Sequence, residues 1–132
     1  MIVIMYKRKE KIFIISELSP QNEGDIDALK TMILQSKMGG ADAVKIQVYD
    51  SVKMLGDDRK KFCEINQLEL KDLVDYAHNI GIDLFASTFD QERFGWLQNL
   101  NLKYHKIASR VHSDNKHLAQ LTAQSGKTTF VS

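Results

Sequence analysis

The stretch GADAVKIQV, residues 40–48, decides the fold class of this protein. Gly39 and Gly40 end a helical pattern, and Ala43 to Val48 (AVKIQV) then forms a short run rich in β-branched residues. Such a run is typical of a strand that is covered on both faces and so needs no polar alternation. The stretch therefore predicts the second strand of a chain in which strands and helices alternate.

Similar runs occur on both sides of this strand. The five predicted strands are 12–17 (IFIISE), 43–48 (AVKIQV), 82–87 (IDLFAS), 104–108 (YHKIA) and 128–131 (TTFV). Helical patterns separate them, and residues 49–65 read as a polar loop before the second helix. The predicted helix starts are Asp25, Asn66 with Glu69 as a capping box, Asp90, and either Ser113 or Asp114.

The order β-α-β-α-β-α-β-α-β predicts a parallel sheet with right-handed crossovers. Two architectures fit this order: an open doubly wound sheet, or a partial (β/α)8 TIM barrel with about five parallel strands and four helices. In either one, the functional face lies at the carboxyl ends of the strands. No linker divides the chain, so residues 1–132 are predicted to form a single domain.

Composition excludes several classes of function. The 18 basic and 17 acidic residues leave a formal charge of +1, which gives no reason to expect binding to nucleic acid or to a membrane. No segment approaches the ~20 apolar residues of a membrane span. The N-terminal MIVIMYKRKEK has its apolar and basic parts in the wrong order for a secretory signal. The lone Cys63 is predicted to be a small buried or half-buried side chain, and a single cysteine is typical of a protein in a reducing, cytoplasmic compartment.

Polar side chains stand at or near the carboxyl end of every predicted strand. They are Glu17, Lys45, Gln47, Ser87, Thr88, His105, Lys106, Ser109, Arg110 and Ser132. A buried ammonium needs a partner, a ligand or solvent, so Lys45 is the most informative of them. An ion pair with Glu17 explains it, and so does an anion site that Lys45 forms with Lys106 and hydroxyl groups. Gln47 points to the same side as Lys45.

Histidine spacing does not indicate a metal site. The four histidines, His78, His105, His112 and His117, show no ligand spacing on one face and are predicted not to bind metal. The chain also has no glycine-rich phosphate loop after a strand.

Five segments, in order, resemble sialic acid synthases and their relatives that make nonulosonic acids. They are ISELSPQNEGD (15–25), GADAVKIQ (40–47), FASTFD (85–90), HKIAS (105–109) and SGKTTFVS (125–132). Each segment alone is a weak signal, but the five share the family's order, and each lies at or beside a predicted strand. The resemblance covers residues 12–132.

The resemblance implies an enzyme that condenses phosphoenolpyruvate with N-acetylmannosamine or a related hexosamine and releases phosphate. It implies that Lys45 and Lys106 bind the phosphate and carboxylate of phosphoenolpyruvate, with hydroxyl donors from Ser87, Ser109 and Ser132.

For the second substrate, the resemblance implies that Gln47 contacts the sugar and that Glu17 lies near the reacting carbons. It also implies a divalent metal, manganese or magnesium, whose histidine ligands belong to the sixth to eighth strands of the family barrel. None of those ligands is expected in this chain.

The chain departs from the family pattern at several positions. Gln21 and Asn22 replace an Asn-His pair, and Arg110 and Val111 replace a glycine and an acidic residue. We expect the chain to be a fragment without synthase activity of its own. Two other hypotheses stay open: a truncated anion-binding or assembly module, whose open sheet edges pair in a homodimer, and an unrelated open α/β domain that binds an anionic metabolite.

Overall fold

A computed structural model describes residues 12–132. The N-terminal run that was predicted not to be a secretory signal lies outside the described residues. The strands are β1 (Ile15–Glu17), β2 (Ala43–Val48), β3 (Asp83–Thr88), β4 (Tyr104–Ile107) and β5 (Thr128–Val131). They form one parallel sheet in the order β1-β2-β3-β4-β5.

Six α-helices and a short 3-10 turn connect these strands within the described part of the chain. The helices are α1 (Ile26–Met38), α2 (Ser51–Leu55), α3 (Gln67–Ile80), α4 (Gln91–Gln98), α5 (Ser109–Asp114) and α6 (Lys116–Ala123), and the 3-10 turn is Lys61–Cys63. Within residues 12–132, no helix is long and apolar enough to cross a lipid bilayer.

The strand order decides between the two architectures that the sequence allowed. A doubly wound sheet reverses its strand order, whereas this sheet runs in sequence order throughout. Right-handed crossovers in a constant direction place all helices on one face, and the sheet curls away from them. The protein is therefore a curled half-barrel, which confirms the predicted fold class.

The main core lies between the helices and the convex face of the sheet. Val44, Ile46 and Val48 of β2 are fully buried there against Leu29 of α1 and Leu70 of α3. These are the alternate residues of AVKIQV, so the remaining positions, which include Lys45 and Gln47, face the concave side. Burial of the apolar set thus determines which way the polar set points.

Aromatic side chains fill part of the concave side. Phe13, Phe85, Tyr104 and Phe130 contact one another with ring centroids 5.4–6.2 Å apart. We call these four residues the aromatic floor. Layers of inward-pointing side chains of this kind fill the interior of a (β/α)8 barrel.

Four predicted strand boundaries were wrong by small amounts. β1 begins at Ile15, because the backbone of Ile14 bonds to residue 42, just before β2, and to the first residue of β2, Ala43. β3 begins at Asp83, since the N–H of Ile82 donates to Ala77 and completes the end of α3 at Gly81. It ends one residue later than predicted, at Thr88, which pairs with Val48 of β2. β4 ends at Ile107, because Ala108 is the N-cap of α5.

The helix count was also wrong. The segment 49–65 is not only a loop, because Asp50 caps α2 by accepting from the N–H of Lys53. The predicted fourth helix is two helices, and Asn115 rather than Ser113 or Asp114 caps the second by accepting from Leu118. The predicted caps at Asp25, Asn66 and Asp90 are confirmed.

Candidate functional site

Strand register brings the predicted site residues to one region of the concave face. Glu17 is paired with Lys45 across β1 and β2, and Gln47 is paired with Ser87 across β2 and β3. Ser87 is in turn paired with Lys106 of β4. Paired residues of parallel strands point to the same side of the sheet, so all five side chains face the barrel interior.

Lys45 and Glu17 form the ion pair that the sequence left as one explanation. The ammonium Nζ of Lys45 lies 2.5 Å from Oε2 of Glu17. Lys45 is only 8% exposed, whereas the side chain of Glu17 is 43% exposed. The pair uses one of three ammonium donors, so two N–H groups of Lys45 are left for other acceptors.

Lys106 lies on the other side of the same region. Its Nζ donates to Oγ of Ser132 at 2.5 Å and to the carbonyl of Ile107 at 3.0 Å. Burial lowers the pKa of Lys106, the nearby charge of Lys45 lowers it further, and Glu17 opposes this shift. The two ammonium groups therefore stand close enough to repel each other, an arrangement that an anion between them would stabilise.

Ser87 occupies the position between Gln47 and Lys106. It is fully buried, and its Oγ has no hydrogen-bond partner among the described residues. Buried hydroxyls nearly always have a partner, so this group is available to a ligand.

Ser109 is the predicted residue that the structure leaves apart. It is exposed as the first residue of α5, and no hydrogen bond within residues 12–132 joins its side chain to the others. Glu17, Lys45, Lys106 and Ser132 form one cluster, with Gln47 and Ser87 next to it in register.

The aromatic floor borders this cluster. Lys45 is paired in register with Phe85, and Lys106 is paired with Phe130. Aromatic walls lower the local dielectric constant and strengthen the attraction of both lysines for an anion. They also account for the burial that lowers the pKa of Lys106.

Sequence reasoning missed Arg93, which joins the ends of β2 and β3. Arg93 is only 7% exposed; its Nη1 lies 3.1 Å from the carboxylate of Asp90, and its Nη2 lies 3.6 Å from that of Asp50. Both carboxylates follow strands that carry site residues. Asp90 was a predicted helix cap, but nothing in the local pattern shows that Arg93 bridges it to Asp50.

Close packing also positions the loop after β1. Gly24 has φ +85, and a Cβ there would lie 1.9 Å from the carbonyl oxygen of Phe62. Asn22 is 5% exposed and donates to the carbonyl of Asp25 at 3.3 Å. Arg110 of α5 donates to the carbonyl of Met54 of α2 at 2.9 Å and so joins the segments that follow β4 and β2.

His105 and Cys63 lie away from the cluster. His105 alternates with Lys106 and is buried on the helix side, where Nε2 lies 3.2 Å from Nε2 of Gln98. Burial, and secondarily the charge of Lys127, lower the pKa of His105. Cys63 is buried, as predicted, and burial together with Cys63 raises the pKa of Tyr49 to about 12.

The curled parallel sheet defines a protein of the (β/α)8-barrel class. The cationic and hydroxyl groups at its strand ends form a site that suits an anion. The NeuB family model matches residues 32–132, and the chain belongs to this family. The unrelated open α/β domain that was considered from sequence is thereby excluded.

Relatives of known function are similar over nearly the whole chain. The mouse N-acetylneuraminate-9-phosphate synthase is 30% identical over 142 residues, which cover 94% of this chain and 39% of the relative. A pseudaminic acid synthase of Campylobacter jejuni is 30% identical over 146 residues, covering 96% and 42%. The chain thus spans about two fifths of the length of these relatives.

A solved structure shows the same fold. The N-acetylneuraminic acid synthetase of Leptospira borgpetersenii, crystallised with citrate, superposes with a TM-score of 0.86 at 27% identity. The match covers 92% of this chain and 44% of that one.

Proposed function

We propose that this chain forms the phosphoenolpyruvate-binding part of a sialic acid synthase-like enzyme. The reaction is the condensation of phosphoenolpyruvate with N-acetylmannosamine or a related hexosamine, which gives a nonulosonic acid and inorganic phosphate. The observation that carries the proposal is the convergence of Lys45 and Lys106 on one region of the concave face, beside an unpartnered Ser87 hydroxyl.

Charge supports an anionic substrate at this place. Phosphoenolpyruvate carries about three negative charges, and charge-assisted hydrogen bonds are roughly twice as strong as neutral ones. Lys45 and Lys106 supply two positive charges, and Ser87 and Ser132 supply hydroxyl donors. Preorganised donors of this kind hold a phosphate and a carboxylate without rearrangement of the sheet.

In this proposal, Gln47 and Glu17 serve the sugar side of the reaction. Gln47 is half-buried, in register with Ser87, and its amide can both donate to and accept from sugar hydroxyls. The exposed carboxylate of Glu17 is suited to orient a hydroxyl group or to accept a proton beside the carbon that reacts. Bond formation between two substrates requires that they be held together in this way.

The identity of the sugar is proposed only as a class. The similar enzymes are named for N-acetylneuraminate-9-phosphate, pseudaminic acid and N,N'-diacetyllegionaminic acid. These names give different products, so we assign an amino sugar and no particular member of that class.

A divalent metal, manganese or magnesium, belongs to the proposed whole enzyme. Within residues 12–132, no group of three His, Cys, Asp or Glu side chains is placed to hold a metal ion. No step proposed for these residues therefore passes through a metal. We expect the chain by itself to bind phosphoenolpyruvate and not to complete the condensation.

Binding of phosphoenolpyruvate to the chain tests the proposal. Isothermal titration calorimetry of Lys45→Met and Lys106→Met should each show affinity reduced at least about tenfold, because each loses a charge-assisted hydrogen bond. Lys71→Met, at an exposed residue of α3 that pairs with Asp75, is the matched control and should bind normally.

Unchanged affinity in both site variants would contradict a shared anion site. Release of phosphate from phosphoenolpyruvate when N-acetylmannosamine is added to the lone chain would contradict the expectation that the chain is inactive by itself. The alternative, an anion-binding module without catalysis, predicts the same binding but no turnover in any longer form of the protein.

A further inference from the structure

Two buried hydroxyl groups without partners flank β2. Ser19 is 3% exposed and Ser87 is fully buried, and neither Oγ has a hydrogen-bond partner among residues 12–132. The large majority of buried side-chain polar atoms have a hydrogen-bond partner in folded proteins, and each exception carries a cost in free energy. Ser87 was expected at the site from sequence, whereas Ser19 was not.

The backbone of Ser19 contacts the carboxylate of Glu17, which is also the partner of Lys45. The N–H of Ser19 donates to Oε1 of Glu17 at 3.4 Å, while Oε2 of that residue accepts from Lys45 at 2.5 Å. Leu18 continues the β1–β2 ladder by donating to the carbonyl of Lys45, and its side chain packs in the helix-side core. The N–H bond to Glu17 thus holds Ser19, in the turn after β1, next to the carboxylate that faces the concave side.

The hydroxyl of Ser19 does not complete this local network. The backbone N–H reaches Glu17, yet the Oγ makes no bond to that carboxylate or to any other described group. A serine that served the fold would use its hydroxyl for a cap, a turn or a neighbouring strand. A buried hydroxyl without a partner, next to the carboxylate that pairs with Lys45, is instead available to a group that binds there.

We propose that Ser19 is a substrate-contacting residue whose hydroxyl donates to an oxyanion oxygen of the ligand held by Lys45. The proposal rests on the proposed function and extends the anion site from β2 and β4 to the end of β1. The oxyanion is either the phosphate or the carboxylate of phosphoenolpyruvate, since both accept such a bond.

The test compares binding and stability in Ser19→Ala. Affinity for phosphoenolpyruvate should fall about tenfold, as expected for loss of a hydrogen bond to a charged group. The urea midpoint should stay the same or rise, because the variant removes an unsatisfied buried group. Titrations with inorganic phosphate and with pyruvate show which group accepts the bond. If Ser19→Ala weakens the binding of phosphate, the acceptor is the phosphate of phosphoenolpyruvate; if it weakens the binding of pyruvate, the acceptor is the carboxylate.

Ser36→Ala is the matched control. Its hydroxyl bonds to Oγ of Ser16 at 2.9 Å between α1 and β1, so that variant should lose stability and keep its affinity. A Ser19→Ala protein that is destabilised or unfolded overturns the proposal, because it shows a structural role. Normal affinity in Ser19→Ala while the wild type binds overturns the Ser19 assignment alone, whereas no binding by the wild type overturns the proposed function as well.

Discussion

Replacing Lys45 by methionine should leave the protein as stable as before, or about 0–1 kcal/mol more stable. The ammonium is the buried member of its pair, at 8% exposure, and burial of an ion costs several kcal/mol. Methionine keeps the apolar stem and removes that cost. Glu17, whose side chain is 43% exposed, regains hydration when its partner is lost.

The reverse change should be harmful. Glu17→Met leaves the Lys45 ammonium buried without a carboxylate and near the charge of Lys106, so the free energy of unfolding should fall by about 2–3 kcal/mol. Glu17→Gln keeps an acceptor oxygen and should lose about 1 kcal/mol. The two methionine variants differ in their expected free energy of unfolding because Lys45 is buried and Glu17 is not.

Urea denaturation followed by far-UV circular dichroism measures these changes, with constant m-values as the check that the unfolded state is unaltered. Phosphoenolpyruvate titrations on the same samples show whether Lys45→Met loses affinity while keeping stability. A loss of about 2 kcal/mol or more in Lys45→Met would refute the reasoning, because the ion pair would then serve the fold. This result decides between the two explanations that the sequence allowed for Lys45.

Three further predictions concern the surroundings of the site. Gly24→Ala should lower the free energy of unfolding by about 2–4 kcal/mol in urea titrations, because its Cβ would lie 1.9 Å from the carbonyl oxygen of Phe62 at φ +85. Burial, and then the charge of Lys127, hold the pKa of His105 below its usual 6.5 in the folded protein. The free energy of unfolding should therefore be highest above about pH 6.5. It should fall as the pH drops from there toward the lower folded pKa, by at most about 1.4 kcal/mol per pH unit. Asn66→Ala should cost about 1 kcal/mol, because its side chain accepts from two backbone N–H groups at the start of α3.

Each of these has a clear contrary result. A Gly24→Ala protein of wild-type stability would show that the two loops do not pack as described. His105→Gln should flatten the dependence of stability on pH below 6.5, and an unchanged slope would assign that dependence to other groups. For the helix cap, Asn66→Asp serves as the control that retains the cap. If Asn66→Ala is as stable as the wild type, the capping box does not stabilise α3.

Local rules predicted β2 and the caps at Asp25, Asn66 and Asp90, because apolar runs, glycines and capping side chains act within a few residues of one another. The same rules failed for α2 and for the break between α5 and α6. There, Asp50 and Asn115 start short helices whose patterns are too brief to stand out.

For the candidate site, motif resemblance identified Lys45, Gln47, Ser87 and Lys106, but not Ser19 or Arg93. The hydroxyl of Ser19 is notable only because it is buried without a partner, and Arg93 only because it bridges two strand ends. Both properties depend on neighbours that are distant in sequence. No pattern along the chain reports them.

The sequence by itself determined the alternation of strands and helices, and it determined which residue types follow each strand. Only the tertiary structure decided that Glu17 meets Lys45 and that Lys106 lies near both, while Ser109 stands apart. The physical reason is that strand register and sheet curvature set these distances. Those are properties of the packed core, where burial of Val44, Ile46 and Val48 turns the polar side chains of β2 toward the interior of the half-barrel.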